Sequence, residues 1–148
     1  MNAIPFPSHW PSINGYNYPM AKLKSPKNKG DGYERELAAY LNATVLPPLT
    51  ASRAPLSGGG MSFNGAGQAD LIGTPGLHVE AKRVERLEVY KSLDQAERSV
   101  TNRNCPETPV VISRRNNTKT GDSIVILRLD GFLTYYLAWL KSMGLPHI

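Results

Sequence analysis

The chain has 148 residues, one cysteine (Cys105), a net charge of +5 and a calculated pI near 9.4. The length suits one domain with a real core, and a lone cysteine excludes both a disulfide framework and a cysteine-based zinc site. The basic balance favours an anionic partner, and with no apolar run long enough for a membrane span and no secretory leader pattern, a cytoplasmic location without membrane contact is expected.

Residues 1–28 differ from the rest. They are rich in Pro, Asn and Ser around Trp10, Tyr16 and Tyr18, and Lys22, Lys24, Lys27 and Lys29 all precede the first acid, Asp31. This segment reads as a flexible arm whose basic end tracks phosphates and whose aromatic residues stack on unpaired bases. Packing on its own domain or on a partner subunit is the alternative. Residues 29–148 form the folded domain.

From residue 29 the glycines and Asp31, a potential helix cap, give way to helix formers. Tyr33, Leu37, Tyr40 and Leu41 repeat at the i, i+4, i+7, i+8 spacing of one buried face. Glu34 sits beside that face in the first turn, where a carboxylate also favours the helix dipole. Further on, residues 57–68 hold five glycines, which permit close approach of backbone to a ligand. They lack the Gly-x4-Gly-Lys-Ser/Thr pattern of a nucleotide-binding loop. A mobile loop that packs on DNA fits them, as does a plain linker.

Residues 68–82 carry the densest chemistry. Leu71 and Ile72, then Leu77, His78 and Val79, read as strands around a Thr74-Pro75-Gly76 turn. A hairpin centred near Pro75 sets Asp70 almost opposite Glu80, where like charges about 5 Å apart repel by roughly 3 kcal/mol at an effective dielectric of about 20. A divalent cation removes that repulsion, and hard oxygen ligands suit Mg²⁺. Lys82 shares the Glu80 face by the two-residue repeat of a strand. An ordinary half-exposed strand with alternating charges is the alternative. His9, His78 and His147 match no ligand spacing and are expected at the surface or in the arm, although His78 shares the parity of Glu80.

After this hairpin, residues 89–101 form a moderately amphipathic helix carrying Gln95, and residues 109–113 and 123–128 read as strong strands. Arg114, Arg115 and Lys119 cluster at their connection, able to touch phosphate or simply to be solvated. Phe132, Leu133, Tyr136, Leu137 and Leu140 mark a last amphipathic helix, for which core packing is expected.

Taken together, Gly30 with Glu34 and Leu37, the segment Ser52-Arg53-Ala54-Pro55-Leu56-Ser57-Gly58, Ala69-Asp70, and Val79-Glu80-Ala81-Lys82 resemble the PD-(D/E)XK nuclease superfamily. The nearest likeness is to its archaeal and phage-type Holliday junction resolvases, over residues 30–115. The resemblance implies a restriction-endonuclease-like α/β fold, a mixed sheet flanked by helices. It implies Asp70, Glu80 and the Ala81 carbonyl as Mg²⁺ ligands (Mn²⁺ as substitute), with Glu34 a further ligand or water-orienting group. Lys82 would orient the water or stabilise charge on the phosphorane, and Gln95 stands where many members carry a helical glutamine. Arg53 and Ser57 match a segment that approaches the DNA backbone, and Arg83 is a further candidate for phosphate contact. Ala69 stands where the superfamily name has proline, and the long glycine stretch prevents transfer of loop contacts.

The activity so implied is Mg²⁺-dependent cleavage of four-way DNA junctions in recombination and repair, leaving 5′ phosphates. A two-fold homodimer is expected because symmetric resolution needs two opposed cuts. A phage origin would place it in the host cytoplasm. The alternatives are a restriction-like or repair nuclease acting on duplexes, flaps or ends, and a non-catalytic basic DNA-binding module whose carboxylates are structural.

Overall fold

The computed structural model describes residues 26–45, 50–55 and 68–146. The arm with Lys22 and Lys24, and the glycine-rich loop with Ser57, lie outside the described residues. The chain is a mixed α/β fold. Helix α1 (Pro26–Thr44) leads to β1 (Ser52–Arg53), β2 (Leu71–Ile72) and β3 (Leu77–Arg83). Helix α2 (Val89–Asn102), β4 (Thr108–Arg114), a 3₁₀ turn (Thr120–Asp122), β5 (Ile124–Ile126) and α3 (Leu129–Ser142) follow. No helix among the described residues is long and apolar enough to cross a membrane.

Strands β3 and β4 pair in parallel, with Glu80 beside Val111, and α2 supplies the crossover that a parallel pair requires. Strand β5 adds antiparallel to β4. Alternation along the strands separates two faces. Val79, Val110 and Ile112 pack with Tyr33, Leu37 and Ala38 of α1, and each fully buried apolar side chain of this kind contributes about 1.5–3 kcal/mol. His78, Glu80 and Val111 occupy the opposite face, against which α2 buries Leu93 and Ala96.

Several expectations change. Helix α1 begins at Pro26, so Asp31 is inside the helix and does not cap it. Pro suits a first turn, and burial of Tyr33 and Leu37 outweighs the low helix propensity of Gly30 and Gly32. The expected hairpin ladder is absent among the described residues: β2 pairs antiparallel with β1, Arg53 beside Leu71. Gly73 and Gly76 both have positive φ, 75° and 81°. They turn β2 away from a continuous ladder with β3, leaving bridging bonds such as Asp70 N–H to the Val79 carbonyl at 2.8 Å. Strand β5 covers only 124–126, with Ile124 and Val125 exposed. Helix α3 buries no residue, against the expectation of core packing.

Candidate active site

Strand alternation puts Glu80 and Lys82 on the face covered by α2, and Gln95 projects from that helix to meet them. The Lys82 ammonium donates to Glu80 Oε1 at 2.5 Å, and the Gln95 amide donates to the same oxygen at 2.6 Å. Lys82 also donates to Gln95 Oε1 at 3.2 Å, which closes a three-membered ring of contacts. Glu80 is buried while Lys82 keeps partial access to solvent. The ammonium therefore both neutralises the carboxylate and remains within reach of a ligand.

Asp70 lies across the edge of β3. Its Oδ2 accepts the Ala81 N–H at 2.7 Å. In an extended strand the N–H and C=O of one residue leave by the same edge, so the Ala81 carbonyl also faces the Asp70 side. Burial, followed by the charge of Glu80, pushes the Asp70 carboxyl up from 3.8 to about 7; Glu34 adds to the rise, and the Ala81 N–H and Lys82 oppose it. A buried carboxyl whose ionisation a neighbouring carboxylate further disfavours marks a site in need of positive charge.

Glu34 reaches the same region from α1 but is engaged by Arg53. The Arg53 Nε–H donates to Glu34 Oε2 at 2.6 Å, and Nη2 donates to Asp31 Oδ1 at 2.8 Å. The β1–β2 pairing sets Arg53 beside Leu71, next in sequence to Asp70. Its guanidinium is held more firmly protonated, chiefly by the bond to Glu34.

Among the described residues no three His, Cys, Asp or Glu side chains converge as a ready-made ion cage. Glu34 is tied to Arg53, and Glu80 to Lys82 and Gln95. The donor set that fits a hard cation is Asp70, Glu80 and the Ala81 carbonyl. This is the sparse protein contribution that Mg²⁺ uses when water and substrate phosphate complete its shell. The raised Asp70 pKa supports the fit, because a carboxylate destabilised by burial and then by the Glu80 charge is stabilised by a neighbouring cation.

The other candidates divide. Lys27 and Lys29 fall at the start of α1. Arg83 ends β3, its Nε buried without a hydrogen-bond partner. Arg115 is exposed and, with Arg86, borders an open groove between the segment after β3 and the segment after β4. Arg114, expected to contact phosphate, is buried. Its guanidinium pairs with Glu36, donates to the Thr118 carbonyl at 2.7 Å and lies 4.9 Å from the centroid of the Tyr33 ring. The signal was in the sequence, since alternation from Val110 and Ile112 carries Arg114 to the α1 face.

His78 is fully buried rather than at the surface. Burial holds its imidazole below the usual value, and its Nδ1 stands 3.7 Å from Glu107 Oε2, beyond hydrogen-bond reach. Arg86, Glu36 and the Asp31 carboxylate were not singled out for these roles from sequence. Asp31 and Glu34, three residues apart on one helix, were the available sign of a shared cation. The chain matches no protein-family model, no curated protein and no solved structure.

Proposed function

We propose that the chain is a metal-dependent, structure-selective DNA endonuclease of restriction-endonuclease-like architecture that acts on four-way junctions. The observation that carries this reading is the juxtaposition of Asp70, held by the Ala81 N–H, with the Glu80–Lys82–Gln95 ring. A Mg²⁺ bound by Asp70 and Glu80 would lower the pKa of a coordinated water and polarise a phosphoryl oxygen. Lys82 then donates to an oxygen of the scissile phosphate, where negative charge grows during in-line attack. Gln95 keeps Glu80 and Lys82 in mutual position. Arg53, at the same edge, would reach a phosphate only by exchanging one of its carboxylate partners, Glu34 or Asp31, for it.

A second reading has its own support. Glu34 and Glu80 already have cationic partners, as purely structural carboxylates in a basic DNA-binding module would. That reading leaves the raised pKa of Asp70 without a use. The discriminating experiment offers labelled four-way junctions and matching linear duplexes to the protein with Mg²⁺ or EDTA. Paired nicks near the branch, lost with EDTA and in Asp70→Asn and Lys82→Ala while junction binding persists, are the expected result. Cutting of duplex and junction alike would instead mean a general nuclease, and intact DNA under tight binding would sink catalysis altogether.

A further inference from the structure

The segments that follow β3 and β4 border an open groove of about 450 Å³, within the ~300–1,000 Å³ of small-ligand sites. It lies at the carboxyl ends of a parallel strand pair, where open α/β sheets commonly place ligands. Val84, Arg86 and Leu87 come from the first segment, Arg115 and Asp122 from the second, and Ile124 opens β5. Ser113 also lines the groove and is the register partner of Lys82. Paired strands run about 4.8 Å apart with matched side chains on one face, so the groove adjoins the Glu80–Lys82–Gln95 ring.

The lining is chemically mixed. Among the described residues the Arg86 and Arg115 guanidiniums have no ion-pair or hydrogen-bond partner, while Val84 and Ile124 present exposed aliphatic surface. Two acids are also present. Glu85 is used by the fold, since its Oε1 accepts the Asn116 N–H at 2.8 Å, but the Asp122 carboxylate has no such partner among the described residues. A surface for the DNA backbone alone gains nothing from a carboxylate, which repels phosphate. Free guanidiniums, an aliphatic bed and an acceptor-only carboxylate instead match the phosphate, the face and the edge of one nucleotide. We propose that the groove holds a single unpaired guanine nucleotide of a DNA strand whose neighbouring phosphate is at Lys82. Arg86 and Arg115 take phosphate oxygens, Val84, Leu87 and Ile124 underlie the base, and Asp122 accepts from its pairing edge. Guanine is the base selected because its N1–H and N2–H are parallel donors that a carboxylate accepts in a bidentate pair. Thymine offers one N–H between two carbonyl oxygens, and these repel the carboxylate. In a duplex the pairing edge is occupied, so only a base that has left its pair can be read in this way.

The inference rests on the reading of the site as one that acts on branched DNA, and its test is binding in EDTA, where nothing is cut. Fluorescence anisotropy of the full chain with labelled duplexes carrying one unpaired dG or one unpaired dT should show the dG bulge bound about tenfold more tightly. Asp122→Asn and Asp122→Ala should bring the two bulges within about twofold of each other by weakening dG binding. A purely electrostatic role for Asp122 makes the opposite forecast, because loss of a negative charge would tighten binding to every DNA alike. Circular dichroism checks that the variants are folded, and the wild-type comparison of dG with dT needs no variant. Equal affinity for the two bulges, or a dG preference that survives both substitutions, would overturn the proposal. Displacement of the labelled DNA by micromolar GMP would also overturn it, since the groove would then serve a free nucleotide. Metal-dependent junction cleavage that persists without any base preference would leave the nuclease reading standing while this inference fell.

Discussion

Asp70 governs how the metal-free protein responds to pH. Its carboxyl titrates near 7 in the fold against 3.8 for the free group, first because it is buried and then because Glu80 is beside it. Between those values the folded chain retains a proton that the unfolded chain has lost, so this residue makes stability fall as pH rises from about 4 to about 7, with no further loss above that. Asp70→Asn removes the penalty while keeping an oxygen for the Ala81 N–H. Without metal at pH 8, the variant should be more stable than the wild type by roughly 2–4 kcal/mol, since one pKa unit corresponds to about 1.4 kcal/mol. Thermal melts at pH 5 and pH 8 in EDTA check this, and a variant no more stable at pH 8 than the wild type would show that the carboxylates are not in conflict. Mg²⁺ should reverse the order, because it stabilises only the chain with the ionised carboxylate.

At the scale of elements, the link between β2 and β3 is the sensitive joint. Gly73 has a φ of 75°, and a Cβ built there would lie 2.3 Å from the Thr50 carbonyl oxygen, a backbone atom unable to move aside freely. Gly73→Ala should therefore cost more than the roughly 1 kcal/mol of a strained left-handed residue and displace β2 from β1, lowering the urea midpoint. An unchanged midpoint would mean that the joint relaxes easily. The same joint explains what the sequence revealed and what it concealed. The alternation in β3 is a local signal that sets Glu80 and Lys82 on one face, whereas only the family resemblance points to Gln95, whose amide the structure brings to Glu80 at 2.6 Å. Pairing of β2 with a two-residue strand near position 52 is a long-range choice that turn chemistry at Pro75 does not report. It leaves Asp70 close to Glu80 by a side-chain-to-backbone bond in place of a ladder. Arg114 departs from the expected phosphate contact or solvation because Glu36 and the Tyr33 ring make its burial tolerable. Helix α3 has the apolar content of a core helix, and no local pattern shows that the fold leaves it unburied.

For the whole molecule, the net charge of +5 matters less than where the uncompensated cations lie. Arg53 is engaged by Glu34 and Asp31, Lys82 by Glu80, and Arg114 by Glu36. Arg128 bridges Asp94 and Glu97 and so ties β5 and α3 to α2. Arg86 and Arg115 are exposed, and they border the groove at the end of β3 that follows Lys82. The groove also includes Ser113, the register partner of Lys82, so a polyanion bound at the site could extend to these two cations. Each phosphate neutralised on duplex DNA contributes about −0.9 to the slope of log affinity against log salt. Arg86→Ala and Arg115→Ala should each reduce the steepness of that slope by about 1 and weaken binding at low salt without changing the melting temperature. Arg114→Met should do the reverse, leaving the slope nearly unchanged while destabilising the fold by about 1–3 kcal/mol, because the Thr118 carbonyl and the Tyr33 face lose a buried partner while Glu36 keeps access to water. Salt titrations by fluorescence anisotropy, beside thermal melts, separate the two classes. A slope that responds to Arg114 but not to Arg86 or Arg115 would mean that DNA approaches from the α1 face and that the groove takes no part in binding.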